Sequence, residues 1–287
     1  MEVRTPSLGF EECKVLATYI YTLCGIQLDQ SKHYLIESRL RPLIAQTKSG
    51  TYSELYNKAR SDGSGSLRRA IIDAVTTNET LFFRDRSPFD LLRYKLLPEL
   101  VQYRAGSAPG RIPIRIWSAA SSTGQELYSI AIVLREVLGP SDKYDIQLLG
   151  TDISSQAVAR ATQGIYTDVE VERGVAPDVL ARYFVKRQSG WQVQDSIREM
   201  ARFRTLNLLN DFSSLGRFDI IFCRNVAIYF SEADKTGLFG RLARLLAPDG
   251  YLIIGATESL AKASTVFEAK RYQRSVYYQK VPSGVRQ

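Results

Sequence analysis

The sequence has 287 residues, of which 45% are hydrophobic and 24% charged, and this composition excludes disorder as its main state. Lys and Arg outnumber Asp and Glu by 38 to 30, so the net charge is +8, which favours an acidic partner such as nucleic acid, anionic lipid or an acidic protein. The longest apolar stretches are far too short to span a bilayer, and the N-terminus lacks the apolar core of a signal peptide. We therefore expect a cytoplasmic protein without membrane insertion.

The counts of histidine and cysteine exclude several kinds of site. His33 is the single histidine, so a multi-histidine metal site is excluded, and a hydrolase of the common kind would need that one ring as its base. We expect His33 to be exposed at the start of a helix. Cys13, Cys24 and Cys223 have no paired spacing, which predicts reduced, buried side chains rather than zinc ligands. The sequence thus predicts no metal site.

The first quarter of the chain is predicted to be helical. Apolar residues recur at helical spacing over four stretches, 10–24, 34–46, 53–59 and 67–75. Gly25 is placed to end the first helix, and Pro42 should kink or divide the second. Residues 61–66 have the composition of a flexible connector. Two pairs of positive residues in this region are interpreted as an ordinary solvated face: Arg39 with Arg41, and Arg68 with Arg69.

Behind this region strands alternate with helices. Strands are predicted at 112–117, 146–149, 218–223 and 251–254. Helices are predicted at 127–138 and 232–246, with a turn at 248–250. The alternation implies parallel strands joined by helices, and hence an α/β fold with a doubly wound sheet. Ligands of such sheets bind beyond the carboxyl ends of the strands, where the strand order reverses.

The residues after the first two strands indicate the kind of ligand. The turn at 118–126 contains only Gly124, whereas a dinucleotide pyrophosphate calls for several glycines, so NAD and FAD are disfavoured. Asp152, at the end of the second strand, can accept hydrogen bonds from two ribose hydroxyls, and Glu126 could face a cationic amine. A tight turn of small residues with two acidic groups suggests S-adenosylmethionine.

Three motifs follow one another along the chain: residues 76–84 (TTNETLFFR), 117–126 (WSAASSTGQE) followed by 128–131 (YSIA), and 222–225 (FCRN) followed by 228–230 (IYF). In this order they resemble the signatures of CheR, the chemotaxis receptor glutamate O-methyltransferase family. The resemblance covers nearly the whole chain. It implies a helical N-terminal receptor-recognition domain at 1–76 and a methyltransferase domain at 77–287. A small antiparallel β-subdomain is implied at about 165–201 within the second domain.

The resemblance also assigns residues, partners and products. It implies S-adenosylmethionine as cofactor, with S-adenosylhomocysteine as product, and the cytoplasmic helical bundle of chemotaxis receptors as partner. A receptor C-terminal tail is a further candidate partner for the β-subdomain, although the short insert leaves open whether it can bind one, and nucleic acid is not implied as a partner. For the reaction itself the resemblance favours Arg84 and Tyr229. Ten residues are implied around the cofactor: Asn78, Thr80, Arg84, Gly124, Glu126, Asp152, Asn207, Leu208, Arg224 and Asn225.

The implied reaction needs no general base. A glutamate side chain has a reference pKa of about 4.3, so at neutral pH it is already a carboxylate that can attack a sulfonium methyl group in one in-line displacement. The enzyme has to supply alignment, and holding two reactants in a near-attack geometry accounts for several kcal/mol of the barrier. Arg84 and Tyr229 are the residues predicted to place the carboxylate.

Two other classes of function remain open at this point. A nucleic-acid methyltransferase would explain the basic charge, but amino-group DNA methyltransferases usually carry an Asn/Asp-Pro-Pro-aromatic motif, where this chain has residues 224–226 (RNV). A non-catalytic protein that senses the cofactor is the second alternative. Labelled cofactor distinguishes these classes, because it gives base-labile methyl groups on receptor, stable methyl groups on nucleic acid, or binding without transfer.

Overall fold

The computed structural model describes residues 6–28, 30–105, 110–260 and 265–281. Its first part is a layer of four helices, α1 Phe10–Cys24, α2 His33–Gln46, α3 Tyr52–Ser61 and α4 Ser66–Val75. Gly25 ends α1 in the left-handed conformation, as the sequence predicts. The helices bury one shared apolar core, whose fully enclosed members include Leu16, Ile20, Ile36, Leu40, Leu55 and Ile71.

Two predictions concern the backbone of this layer, and the one of a flexible connector was wrong. Pro42 lies inside α2 without dividing it, since the helix buries apolar residues both before and after the proline, at Leu40 and Leu43. Tertiary packing of that face compensates for the backbone donor that proline lacks. Residues 61–66 do not form a loose connector, because the Asp62 carboxylate accepts hydrogen bonds from several groups of the following turn, including the backbone N–H of Leu67 at 2.7 Å.

Two side chains of this layer also depart from their predicted exposure. The Arg39 side chain is half-buried, and its guanidinium donates to the carbonyl of Val75 and to the hydroxyl of Thr77. The His33 ring is half-buried, and its Nε2 lies 2.8 Å from the carbonyl of Leu8. Both contacts join segments far apart in sequence, which helical periodicity cannot reveal.

The rest of the chain forms ten strands in two sheets. In chain order the strands are β1 Ile112–Ala119, β2 Tyr144–Asp152, β3 Ile165–Tyr166, β4 Phe184–Arg187, β5 Gly190–Val193, β6 Ala201–Thr205, β7 Phe218–Cys223, β8 Leu246–Ile254, β9 Phe267–Tyr272 and β10 Ser275–Lys280. The large sheet has the order β6-β2-β1-β7-β8-β10-β9, in which the first five are parallel and β10 is antiparallel to both neighbours. The small antiparallel sheet has the order β3-β5-β4.

Helices cover both faces of the large sheet. They are α5 Ser87–Leu91, which continues through a π-helical turn at Leu92–Leu96 into α6 Leu97–Ala105, then α7 Gln125–Leu138, α8 Ser155–Gln163, α9 Asp168–Glu172, α10 Pro177–Tyr183, α11 Asp195–Arg198 and α12 Glu232–Leu245. Side chains of β1 alternate between two cores, with Ile114 and Ile116 in one and Trp117 and Ala119 in the other. The fold is therefore the predicted doubly wound α/β sheet.

The turn predicted at 248–250 lies inside β8. The pairing of β7 with β8 shifts from Phe218 opposite Leu246 to Ile220 opposite Tyr251, so the extra residues of β8 form a bulge. A Cβ on Gly250 would lie 2.8 Å from the carbonyl oxygen of Asp219, which explains why glycine occupies the bulge. The local sequence resembles a turn, but strand pairing on both sides of it decides the structure.

The helical layer covers the carboxyl ends of the parallel strands. The backbone N–H of Gln27 donates to the carbonyl of Tyr229 at 3.1 Å, and the Tyr21 hydroxyl donates to Asp234 at 2.7 Å. The strand order reverses at β1, which has β2 on one side and β7 on the other, so this covered edge is where a ligand is expected. Across the four described ranges, no helix is long and apolar enough to cross a membrane.

Candidate functional site

A cleft lies between the carboxyl ends of the sheet and the helical layer. Its lining includes nine of the ten residues that the sequence implicates around a cofactor: Asn78, Thr80, Arg84, Glu126, Asp152, Asn207, Leu208, Arg224 and Asn225. Tyr229, the second residue predicted for the reaction, lines the same cleft. Residues separated by about half of the chain are thus brought together by the fold.

The structure also adds residues that the sequence did not single out for the site. The helical layer supplies one wall of the cleft, from the residues Cys24, Ile26, Gln27, Leu28, Lys32, Leu35 and Arg39. No motif marks these positions, and their signals in the sequence are the positive charges of Lys32 and Arg39, which are also typical of a solvated helix face.

Gly124 is the predicted cofactor residue that does not line the cleft. It precedes α7 with φ at 96°, and a Cβ there would lie 2.9 Å from the Cβ of Ala161 and 3.1 Å from the hydroxyl of Tyr166. Glycine is therefore required for the close packing of this turn against its neighbours. Its observed role is to shape the turn after β1.

The Asp152 carboxylate lies at the end of β2 and is fixed by the backbone. Its Oδ2 accepts from the N–H of Ser122 at 2.8 Å, and its Oδ1 accepts from the N–H of Ser154 at 2.9 Å. Burial raises the pKa of Asp152 above its ordinary value of 3.8, although these hydrogen bonds oppose the shift. The fold thus holds one carboxylate rigidly at the edge of the cleft, and its oxygens can still accept hydrogen bonds from a ligand.

A buried network of charges lies beside it. Arg224 is 6% exposed and donates to Glu126 Oε2 at 2.8 Å and to Asp85 Oδ2 at 2.6 Å. The hydroxyl of Ser118 donates to the other oxygen of Glu126 at 2.8 Å. Glu126 is therefore held by protein partners. A cationic group of a ligand can pair only with the lone pairs of the Glu126 oxygens that Arg224 and Ser118 do not use.

Arg84 differs from Arg224 in its partners. Arg224 has two carboxylate partners, whereas Arg84 forms no ion pair within the residues that the structure describes and donates only to the carbonyl of Glu79, at 3.5 Å. The Arg84 side chain is half-buried on the cleft. It is therefore a cation positioned where an incoming carboxylate could pair with it.

The two residues after β6 have different surroundings. The Asn207 amide donates to the carbonyl of Leu23 at 2.9 Å and accepts from the N–H of Leu209 at 2.9 Å, so it ties the sheet to the helical layer. Leu208 presents a buried apolar side chain to the cleft. Together they form a wall with one amide edge and one apolar surface.

Backbone strain concentrates at this site. In the described parts of the chain, eight residues other than glycine have positive φ, and six of them lie on the cleft or beside Arg84: Phe83, Asp85, Arg86, Ala120, Ser122 and Asn225. Such conformations persist only where the surrounding structure enforces them, and they cluster at functional sites. The strain thus supports the assignment of this cleft independently of the motifs.

The cysteines are buried and unpaired, as predicted. Burial raises the pKa of the Cys24 thiol to about 11, so the thiol that lines the cleft is not a ready nucleophile. Within the described ranges, no group of three or more His, Cys, Asp or Glu side chains is arranged to hold a metal ion.

Comparison with known proteins matches two family models to this chain. The model described as "CheR methyltransferase, SAM binding domain" matches residues 78–276, and the one described as "CheR methyltransferase, all-alpha domain" matches residues 11–76. Both descriptions agree with the structure, in which a layer of four helices precedes the α/β sheet.

Several curated relatives are similar over nearly their whole length. A chemotaxis protein methyltransferase 1 of Vibrio cholerae serotype O1 is 40% identical over 275 residues, covering 95% of this chain and 98% of the relative. A chemotaxis protein methyltransferase of Vibrio parahaemolyticus is 39% identical with the same coverage. The chemotaxis protein methyltransferase Cher2 of Pseudomonas putida is 38% identical over 280 residues, covering 96% of this chain and 98% of the relative.

Proposed function

Because this chain belongs to the CheR methyltransferase family and is an S-adenosylmethionine-dependent chemotaxis methyltransferase, we propose that it methylates glutamate side chains of chemotaxis receptors. The products would be glutamate methyl esters and S-adenosylhomocysteine. One observation carries the proposal: the residues assigned from three separate motifs line a single cleft that contains an unpaired arginine. The cofactor supplies a methyl group made electrophilic by the sulfonium.

The residues of the cleft suit the parts of this cofactor. We propose that Asp152 accepts hydrogen bonds from the ribose hydroxyls and that the wall of Asn207 and Leu208 holds the adenine. The carboxylates of Glu126 and Asp152 make the cleft favourable for a ligand with a sulfonium and an ammonium group. We place the other proposed cofactor contacts around these groups, at Asn78, Thr80, Arg84, Arg224 and Asn225.

We propose that Arg84 and Tyr229 orient the substrate carboxylate for the displacement. The oxygen of the glutamate forms a bond to the methyl carbon as the carbon–sulfur bond breaks, and no proton has to be removed at neutral pH. Arg84 can pair with the incoming carboxylate because no described carboxylate already occupies it. The chain's contribution is thus alignment and exclusion of water by the helical layer that covers the cleft.

The test is transfer of labelled methyl from S-adenosylmethionine to receptor-containing membranes. Alkali should release labelled methanol, since a methyl ester is base-labile, and receptors with the methylated glutamates replaced by alanine should remain unlabelled. Label that resists alkali, or label on nucleic acid in the same mixture, would contradict the proposal. Binding without transfer to any receptor would favour the alternative of a cofactor sensor.

The affinity for the cofactor is expected to fall as the pH is lowered. Protonation of Asp152 removes acceptors for the ribose, and because its pKa is raised, the loss begins at a higher pH than for an exposed aspartate. Calorimetric titration with S-adenosylhomocysteine from about pH 7.5 to about pH 4.5 measures this effect. Asp152→Asn should bind weakly at neutral pH and lose this part of the dependence. If the aspartate and asparagine forms have parallel profiles, Asp152 does not control the titration.

A second groove continues from the cleft to the surface and suggests how the receptor approaches. We call it the α1 groove, and it shares Gln27, Leu28, Lys32 and Tyr229 with the cleft. Its outer part combines exposed apolar side chains, Phe10 at 58% and Ile228 at 51%, with Lys14. Neither Lys14 nor Lys32 forms an ion pair with a described residue.

We propose that an acidic amphipathic helix of the receptor lies in the α1 groove and directs one glutamate past Tyr229. An apolar floor with unpaired lysines complements such a helix, which would bury its apolar face and place carboxylates at the rim. The charge should also speed the encounter in a salt-dependent way.

Reversing the charge at Lys14 is expected to impair receptor recognition only. Lys14→Glu should raise the KM for receptor about tenfold at low salt, while kcat and the cofactor Kd change less than about twofold. The matched control is Lys143→Glu, which makes the same change at an exposed position before β2, on the opposite edge of the sheet. Equal KM values for the two variants would exclude the groove as the docking site.

The remaining assignments concern the division of the chain. We propose domain limits of 1–76 and 77–287, with the β-subdomain at about 165–201. The two family matches meet at residues 76–78, which supports the limit between the two domains.

We also propose that a receptor C-terminal tail pairs with β4, which lies at an edge of the small sheet and has exposed residues along most of its length. The reaction would take place in the cytoplasm.

A further inference from the structure

Glu258 makes a pair of hydrogen bonds behind the wall of the cleft. It lies in the loop after β8, and its Oε2 accepts from the backbone N–H of Asn225 at 2.7 Å and from that of Gly255 at 2.7 Å. One carboxylate oxygen thus joins the loops that leave two adjacent parallel strands, β7 and β8.

The loop after β7 needs such a support because its conformation is unfavourable by itself. Asn225 has φ at 57°, in the left-handed region, and it separates Arg224 from the 3-10 turn Ala227–Tyr229. Arg224, Asn225 and Tyr229 all line the cleft. A change in the backbone of Asn225 would therefore move the buried arginine and the predicted catalytic tyrosine relative to one another.

The packing around this contact leaves little freedom. A Cβ on Gly255 would lie 2.7 Å from the Asn225 Nδ2 and 2.7 Å from the Glu258 Oε2, so the absence of a side chain at Gly255 allows the two loops to meet. The other carboxylate oxygen, Oε1, is buried without a hydrogen-bond partner in the described residues. No described cation forms an ion pair with Glu258, so backbone N–H groups are what hold it.

We infer that Glu258 is a positioning residue, which fixes the segment from Arg224 to Tyr229 in its strained, active arrangement. The carboxylate acts through the backbone and is absent from the lining of the cleft, so we do not assign it a contact with the substrate. The inference rests on the proposed function only where turnover is the measurement. Cofactor binding and backbone amide exchange test it separately.

The experiment compares Glu258→Ala with Glu258→Gln in the full chain. Alanine removes the acceptor, and we expect it to lower kcat about tenfold or more, because small misplacements at a reacting centre are costly. Hydrogen exchange at the amides of Asn225 and Gly255 should accelerate in this variant. Glutamine keeps one acceptor oxygen and should restore kcat to within about threefold of the parent protein. Glu268→Gln, at an exposed position of β9, is the control for loss of one negative charge.

Two other outcomes for the variants overturn the inference. A lower melting temperature for Glu258→Ala with unchanged kcat and cofactor Kd would show a purely structural role. Equal damage from alanine and glutamine would show that the charge, rather than the hydrogen bonds, is what matters. If the parent protein transfers no methyl to receptors, the proposed function fails. The exchange rates and the cofactor Kd of the variants then still decide the role of Glu258.

Discussion

Arg84→Ala is expected to reduce methyl transfer about 100-fold while the cofactor Kd changes only a few-fold, because aligning the reactants accounts for much of the rate. Arg84 lies half-buried on the cleft without a carboxylate partner among the described residues. Its neighbours Phe83 and Asp85 have positive φ, so the backbone conformation on both sides fixes the direction in which the Arg84 side chain leaves the chain. Alanine removes the cation that pairs with the substrate carboxylate and leaves the carboxylates of the cofactor site intact.

The measurements are kcat at saturating receptor and the Kd for S-adenosylhomocysteine. Arg84→Lys keeps the charge but not the two-pronged geometry, so it should recover only part of the loss. Arg111→Ala is the control, since Arg111 is exposed just before β1 at the opposite edge of the sheet. Losses of equal size in kcat and in cofactor affinity would show that Arg84 serves binding only.

Arg224→Met is expected to lower the free energy of unfolding by about 3–5 kcal/mol, the usual cost of removing one member of a buried ion pair. Arg224 is enclosed and pairs with Glu126 and Asp85. Without the arginine, Glu126 keeps only the hydroxyl of Ser118 as a side-chain partner, and its charge is buried without compensation. Chemical denaturation without cofactor measures the loss, so that a change in ligand binding does not contribute.

A double variant separates the buried charge from simple loss of packing. Glu126→Gln combined with Arg224→Met should be more stable than Arg224→Met alone. Arg224→Met leaves the Glu126 carboxylate buried without a cation, and Glu126→Gln removes that charge. Arg198→Met provides the comparison at a surface pair with Asp195, where we expect a cost below about 1 kcal/mol. A cost for Arg224→Met as small as that for Arg198→Met would show that the network contributes little to stability.

The sequence predicted one side of the cleft and missed the other. Nine of the ten residues predicted around the cofactor line the cleft, whereas the wall from the helical layer was not predicted. The pattern failed at 61–66, where the composition of a flexible connector forms a hydrogen-bonded turn, and at 248–250, where residues typical of a turn lie in a strand. At 61–66 the deciding hydrogen bonds are local and come from the Asp62 carboxylate, whereas at 248–250 pairing with β7 outweighed the local preference.

By itself, the sequence determined the class of cofactor: one histidine excludes a multi-histidine metal site, cysteines without paired spacing disfavour zinc, and Asp152 and Glu126 around a turn of small residues indicate S-adenosylmethionine. Tertiary structure alone decided that α1 and α2 form a wall of the cleft, that Arg224 has two carboxylate partners while Arg84 has none among the described residues, and that Glu258 supports Asn225. The physical reason is distance along the chain. Periodicity and motifs report on neighbouring residues, whereas each of these contacts joins segments that come together only when the sheet and the helical layer close over the cleft.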